Sequence, residues 1–480
     1  MKQIISLLLA VLLLTGLAAC GSGEQANTGS VGTVQTTADA ISLQSGYLVG
    51  YGKVDITPKY EVTLQGNGDD NLRVATGYNS FIYAICVAIT DPEGNTALLI
   101  SVDSCAYSTE LSDQIRDQIV RETKIPRENI AVSAIHQHST PSIRGRYVED
   151  ARKGTVESAL KALEDRAPAT VEVNSVVTEN MNFVRHYLMN DGTYCGAHFG
   201  SESSGYKDHA YDPDPEMQLV KFRRTGDKQD ILLTNFQCHP HMGGYNENYY
   251  SIHADWVGIY RDEIEAALGV LPIYFSGAGG DMNSNSRIKE ENPTKDYKEH
   301  GRKMAEYALS AEGSYIPVEL GPVRCKEVTY TAKVNHGEDH LAPLAAKIHA
   351  LWEETRDYSA SMAAYRGMGI NSVYHAGAIL SKSNLGETAE IPSVSVITFG
   401  DVALVSAPYE MFSANGRFIK DTSPFALTVI ATQSNAAIGY LPAKFTFTYG
   451  SYETNTSRYA EGTAEELADL YISMLNELHQ

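Results

Sequence analysis

The chain has 480 residues, 43% of them hydrophobic, and a formal net charge of −21. That acidic balance excludes binding to nucleic acid and docking by charge alone on anionic lipid, while the length is ample for a large buried core. The cysteines beyond Cys20, at 86, 105, 195, 238 and 325, form no C-x-x-C pair, so they are too sparse for a disulfide framework and wrongly spaced for a structural zinc site.

Lys2 precedes an apolar run from Ile4 to Leu14, too short to span a bilayer, and Leu17, Ala18 and Ala19 lead into Cys20. This ending resembles the lipobox of bacterial lipoproteins. The resemblance implies a signal peptide over 1–19, acylation of Cys20, and an exported protein held by lipid on the outer side of a membrane; an ordinary secretory signal is the alternative. Residues 20–45, rich in Gly, Ser, Thr and Ala, read as a flexible tether, and 46–480 as the folded body. No second apolar run is long enough to cross a membrane.

In the body, strand-like runs fall at Phe81–Ile89, Ala97–Val102, Ile130–Ala134, Ile231–Phe236, Ile273–Ser276, Val394–Phe399, Ala403–Ser406 and Leu427–Ala431. Helical periodicity is interleaved at Ser108–Thr123, Val156–Asp165, Trp256–Leu268, Asp296–Leu309, Leu341–Thr355, Tyr409–Lys420 and Ala464–Leu478. This alternation predicts an α/β fold with a mixed, mostly buried β-sheet flanked by helices, and Val323–Val334 as an antiparallel addition.

Polar residues collect where such strands stop. Asp103 in SVDSC closes a buried strand, either as a helix N-cap or as a carboxylate behind a metal ligand. In NIAVSAIHQHSTPS, His136 and His138 stand at i and i+2, one face of an extended chain, so both rings can lean toward one ion. NFQCHPH repeats the device with His239 and His241. In SGAGGDMNSN, Gly279 and Gly280 before Asp281 suit an oxyanion nest or a plain loop. Glu410 is expected in the first turn of a helix, where the dipole alone favours an acid, and Tyr440 at a loop edge. Unaided, these residues indicate a His-containing metal site and no more.

Their order, however, is that of a known family. GYGKVDITP, SVD, SAIHQHSTPS, NFQCHPH with SIHADWVG, GAGGDMNSN, APYEMFSANGR and GYLPAKFTFTYGSYE stand in the sequence of the motifs of the neutral/alkaline (non-lysosomal) ceramidases. From Gly46 onward the chain resembles that family's N-terminal catalytic domain, so 46–480 is expected to be a ceramidase-like catalytic domain without the C-terminal β-sandwich of longer members. The resemblance implies Zn²⁺ held by His136, His239, Glu410 and Tyr440, with His138 orienting substrate or water. It implies hydrolysis of an amide bond in an N-acyl lipid such as ceramide, by metal-activated water. Gly280, Asp281 and Asn283 would line the reaction centre, backbone N–H groups of Gly279 and Gly280 would meet oxyanion charge, and Asp103, Asp255 and Asp281 would orient the ligating histidines. One departure matters: Asn283 stands where the family carries its serine, with Ser284 one place later. An esterase or non-lipid amidase on the same scaffold, or a non-catalytic lipoprotein that binds lipid or glycan, are the alternatives.

Overall fold

The computed structural model describes residues 46–66, 73–196, 204–244, 248–363, 365 and 367–480. The expected signal peptide, Cys20 and the tether lie outside the described residues. Strand β1 (Tyr47–Asp55) carries the GYGKVD motif, and its glycines have a steric cause: a Cβ at Gly50 or Gly52 would come within 2.0 Å of a carbonyl of Ala162 or Ser158. Both belong to α2 (Arg146–Glu164), which therefore lies directly on the strand.

Seven more strands form the main path of the nine-stranded first sheet: β2 (Tyr83–Thr90), β3 (Thr96–Val102), β4 (Ile130–Ala134), β5 (Ala167–Val177), β6 (Glu216–Arg224), β7 (Ile231–Phe236) and β8 (Leu271–Ser276), and the short Ile316–Pro317 also pairs with β5. Their spatial order is β8-β7-β6-β5-β1-β2-β3-β4, with only β7/β8 and β3/β4 parallel. A second sheet has the order β9-β10-β11-β13, built from β9 (Val323–Lys333), β10 (Thr388–Phe399), β11 (Val402–Ser406) and β13 (Leu427–Ala431).

The two sheets face each other. In β2, Ile85, Val87 and Ile89 enter a core shared with Phe399, Leu404 and Val429 of the second sheet, whereas Ala84, Cys86 and Ala88 face helices. A strand with apolar residues on both faces is one buried on both sides, and each buried Ile or Leu is worth about 1.5–3 kcal/mol. Helices α1 (Thr109–Thr123) and α2 cover one half of the outer face, and α3 (Asp255–Leu268) and α4 (Tyr297–Ser310) the other. Helices α8 (Ser413–Thr422) and α10 (Thr463–Leu478) cover the second sheet. Helices α5 (Ala342–Thr355), α6 (Tyr358–Ala363) and α7 (Val373–Ser383) form a side module with its own small core around Ile348, Val373 and Ile379.

The expected fold class holds, with two sheets where one was expected. Strands β1, β5 and β6 escaped the apolar-run criterion because they carry charged residues, among them the buried Lys221, which pairs with Glu312. Helix α2 begins ten residues before the expected Val156, because beyond Tyr147 its first turns bury small residues, Ala151, Gly154 and Thr155, that carry little apolar stripe. The helix expected from Tyr409 starts at Ser413, since Glu410–Met411 form a short strand, β12, paired in parallel with β14 (Tyr440–Leu441). Cysteines 86, 105, 238 and 325 are free thiols.

Two buried histidines make the fold acid-sensitive. His300 on α4 packs its ring against Trp256, centroids 5.3 Å apart, and burial pushes its pKa down to about 3. His253 falls to about 4 by burial and by the nearby Arg73 charge. Both folded pKa values lie below the unfolded value near 6.5, so unfolding takes up protons. Their stabilisation is complete above about pH 6.5 and is lost as pH falls toward 4, at up to about 1.4 kcal/mol per pH unit each. In denaturant titrations between pH 7 and 4.5, His300→Phe should show a shallower loss of unfolding free energy than the parent; identical slopes would refute the assignment.

Candidate metal centre

The strand ends of both sheets meet at one place. His136 follows β4 and His239 follows β7 in the first sheet; Glu410 follows β11 and Tyr440 follows β13 in the second. Glu410 Oε2 lies 3.1 Å from His136 Nε2 and 3.2 Å from His239 Nε2. These ligand atoms lie within 4.8 Å of one another, the span of donors around a single cation.

The far nitrogens settle what the near ones carry. His136 Nδ1 is 2.8 Å from the Cys105 carbonyl and His239 Nδ1 is 3.0 Å from the Met282 carbonyl. A carbonyl only accepts, so each Nδ1 holds the proton, and a neutral ring then presents a bare lone pair at Nε2. Two such lone pairs and a carboxylate oxygen therefore face one another inside the protein. That arrangement is repulsive unless positive charge sits among them. In the bare protein a proton has to serve. Burial depresses His136, but the Glu410 carboxylate outweighs it and lifts the ring well above its usual value. Burial raises Glu410, yet His136 and His239 hold it well below the carboxylate range. His239, desolvated and near Arg185, drops to about 4. One proton cannot satisfy both rings, whereas a divalent cation with nitrogen and oxygen ligands fits all three donors.

The backbone is bent to make this happen. His136 adopts a left-handed conformation, φ 62°, not the extended one that the i, i+2 spacing suggests. Gln433 and Asn435, on the strap after β13, are also left-handed, and the strap is bonded to β4: Ala134 N–H donates to the Gln433 carbonyl and Val132 N–H to Asn435 Oδ1. Non-glycine residues in this region cost of order 1 kcal/mol each and cluster where geometry is functional. A cavity of about 10 Å³, near the size of one water, lies against His136, His239, Gly280, Glu410 and Gln433.

His138 joins the cluster, its Nε2 3.3 Å from that of His136. Burial and then the neighbouring rings push it well below its usual pKa, so it is neutral. The turn carrying it is clamped by the buried Arg73, which donates to the carbonyls of His138 and Tyr249 and to Ser139 Oγ. The His241 ring lies 5.3 Å from that of His138. Tyr440 stands in register with Glu410 and its hydroxyl accepts from Arg185 Nη2 at 3.1 Å.

Four expectations are corrected. Asp103 and Asp255 do not orient the histidines, a task the carbonyls of Cys105 and Met282 perform. Asp103 instead accepts from Arg261 at 2.7 Å and from the Tyr83 N–H. Asp255, raised to about 6 by burial, accepts from the Gly243 and Trp256 N–H groups and so anchors the loop after His241. The Gly280 N–H, expected to serve an oxyanion, donates to the Met411 carbonyl. Gly280 is needed for closeness, since a Cβ there would lie 2.9 Å from the Glu410 carbonyl oxygen. Asp281 is fully buried and accepts from Ser413 N–H and Oγ, both at 2.7 Å, and from the Tyr211 hydroxyl, so it fixes the Glu410 loop rather than facing the centre. Asn283 pairs beside His239, in the isolated bridge His239↔Asn283.

A second network adjoins the first and was not anticipated. Arg185 donates through Nε to Glu453 Oε1 at 2.7 Å, and His186 Nε2 lies 2.9 Å from Glu453 Oε2. Burial raises Glu453, but Arg185 and His186 outweigh it and hold it ionised. Only the YGSYE motif pointed toward this network; nothing local marks Arg185.

Residues 47–270 match the family described as neutral/alkaline non-lysosomal ceramidase, N-terminal. The chain is 27% identical over 195 residues to neutral ceramidase 2 of Arabidopsis thaliana, over 37% of this chain and 24% of that protein. It is 25% identical over 200 residues to neutral ceramidase 1 of the same plant, over 39% and 25%. The chain thus spans about a quarter of the length of the curated relatives it matches. The neutral ceramidase of Pseudomonas aeruginosa superposes with a TM-score of 0.67 at 16% identity, over 90% of this chain and 74% of that one. A ceramidase complexed with C2 gives 0.67 at 17% identity, over 90% and 75%. At such identities the likeness establishes the fold.

Glu453 is the carboxylate that pairs directly with buried Arg185, so Glu453→Ala should lower the unfolding free energy by about 3–5 kcal/mol, the cost of stranding a buried charge. Adding Arg185→Met should restore part of it in a double-mutant cycle. Additive losses would show that the two groups are not coupled.

Proposed function

We propose that this chain, with a neutral/alkaline ceramidase N-terminal domain matched over 47–270, is a zinc-dependent hydrolase that cleaves the amide bond of an N-acyl lipid. The observation that carries this reading is the opposition of His136 Nε2, His239 Nε2 and Glu410 Oε2, three acceptors that need a cation. His136, His239 and Glu410 would hold Zn²⁺, with the Tyr440 phenol beside them as fourth ligand. Bound there, Zn²⁺ polarises a carbonyl and lowers the pKa of water toward about 7.

The protein's own residues supply the rest. His138, a neutral imidazole at the edge of the cluster, orients the attacking water and can take its proton. The carbonyls of Cys105 and Met282 keep the ligating rings in the tautomer that offers Nε2. Arg185 bears on the Tyr440 hydroxyl and places a positive charge beside the reaction centre, which favours developing oxyanion charge. Asn283 offers a carboxamide where a nucleophilic serine would be needed, so attack is by water without a covalent acyl intermediate. The same groups would cleave an ester, and a panel of N-acyl sphingosines, short amides and short esters separates the two. Acylation at Cys20 would hold the enzyme on the outer side of a membrane, where N-acyl lipids reside.

Metal analysis of the purified protein should find about one zinc per chain. Chelation, His136→Ala or Glu410→Ala should each lower amide hydrolysis at least about 100-fold, with zinc return rescuing only the chelated parent. Activity indifferent to all three would sink the proposal. In cells, incorporation of a labelled fatty acid should be lost in Cys20→Ala; labelling that persists would remove the anchor.

A further inference from the structure

We infer that a row of tyrosines leading away from the metal centre, Tyr440, Tyr452, Tyr374 and Tyr358, is the subsite for the long alkyl chain of the substrate, and that the α5–α7 module thereby sets chain-length selectivity. The row begins at the site itself. Tyr440 is in register with Glu410, and its ring meets that of Tyr452 with centroids 5.7 Å apart at 75°. Tyr452 opens the short helix α9 (Tyr452–Thr456), which also carries Glu453. Its ring meets Tyr374 of α7 at 6.4 Å and 88°, and Tyr374 meets Tyr358 of α6 at 6.4 Å and 37°. Three ring-to-ring steps thus run without a break from the candidate ligand to the surface of the module.

Exposure separates this row from ordinary packing. Tyr409, Tyr459 and Tyr471, which pack in the core, are about 1% exposed or less, whereas Tyr374 and Tyr358 are 44% and 41% exposed although they continue the same chain of rings. Among the described residues of the module, the large exposed apolar side chains are these two and Met368 at 55%. The rings meet at 75°, 88° and 37°, so the row presents a stepped apolar surface along which a flexible chain can lie, not the parallel plates that clamp a planar ring. The wall is also held in place. Lys382 of α7 donates to the Asn455 carbonyl of α9 and to Glu338, both at 3.3 Å, and Glu338 accepts from His375 at 2.9 Å. Tyr374 is thereby fixed relative to Tyr452, so the row is held in one arrangement before any ligand arrives.

The inference rests on the proposed function in naming the chain as part of an N-acyl substrate, so its test has one arm that needs no turnover. In the first arm, kcat/KM is measured for N-acyl substrates with long and short acyl chains. Tyr374→Ala should lower the long-to-short ratio about tenfold, the loss of one or two methylene contacts, while Tyr374→Phe keeps the parent ratio. In the second arm, a fluorescent long-chain fatty acid is titrated against the parent, Tyr374→Ala and Tyr374→Phe. Affinity should fall about tenfold in the alanine variant alone. Tyr374 is exposed, so the substitutions leave the core intact. A ratio unchanged by Tyr374→Ala, or a fatty acid bound equally by parent and alanine variant or by neither, would overturn the inference. Absence of any hydrolysis by the parent would overturn the proposed activity instead, and the fatty-acid titration would still decide the row.

Discussion

Two imidazole nitrogens and a carboxylate oxygen pointed at one another are the constraint on which the centre depends. Taken singly, His136, His239 and Glu410 are ordinary polar side chains at strand ends. The tautomers of the two rings are dictated from behind by two main-chain carbonyls, so the conflict at their near nitrogens is relieved only by added positive charge, a proton or a cation. A fold that holds such a set together, with a left-handed histidine among it, has donors that a cation would compensate.

The double sheet explains why these residues converge. Each sheet buries apolar side chains on both faces, and the polar groups of the centre stand where its strands end. The first sheet delivers two imidazoles and the second a carboxylate and a phenol. The glycines between them are consequences of closeness: Gly280 touches the Glu410 backbone, and Gly50 and Gly52 touch α2. The acids near the centre serve mainly as mortar, with Asp281 on Ser413, Asp103 on Arg261 and Asp255 on the loop after His241.

Much of this was legible beforehand. Apolar runs at Ile130–Ala134, Ile231–Phe236 and Leu427–Ala431 are strands with the very ends expected, because a short, mostly apolar run that holds β-branched residues suits a strand buried on both faces. The convergence of positions 136, 239 and 410 came from motif order, not from periodicity, since no local rule relates residues so far apart. What escaped was what packing decides. Glu410 lies on a strand because Tyr440 pairs with it; the Gly280 N–H is taken by Met411; and Arg185, which no neighbour marks, acquires its place from Glu453 and Tyr440. Pairing between distant segments overrides the local dipole and nest arguments.

The split origin of the ligands has a thermodynamic consequence beyond chemistry. An ion gripped by both sheets would be a reversible cross-link between chain positions 136 and 410, and it would close a very long loop. Such a tie restricts the unfolded ensemble more than a local clasp does, in the way a long-range disulfide would. The chain has free thiols and no bridge among its described cysteines, so a metal between the sheets would act as its staple, and the coupling between loading and folding would follow from topology alone.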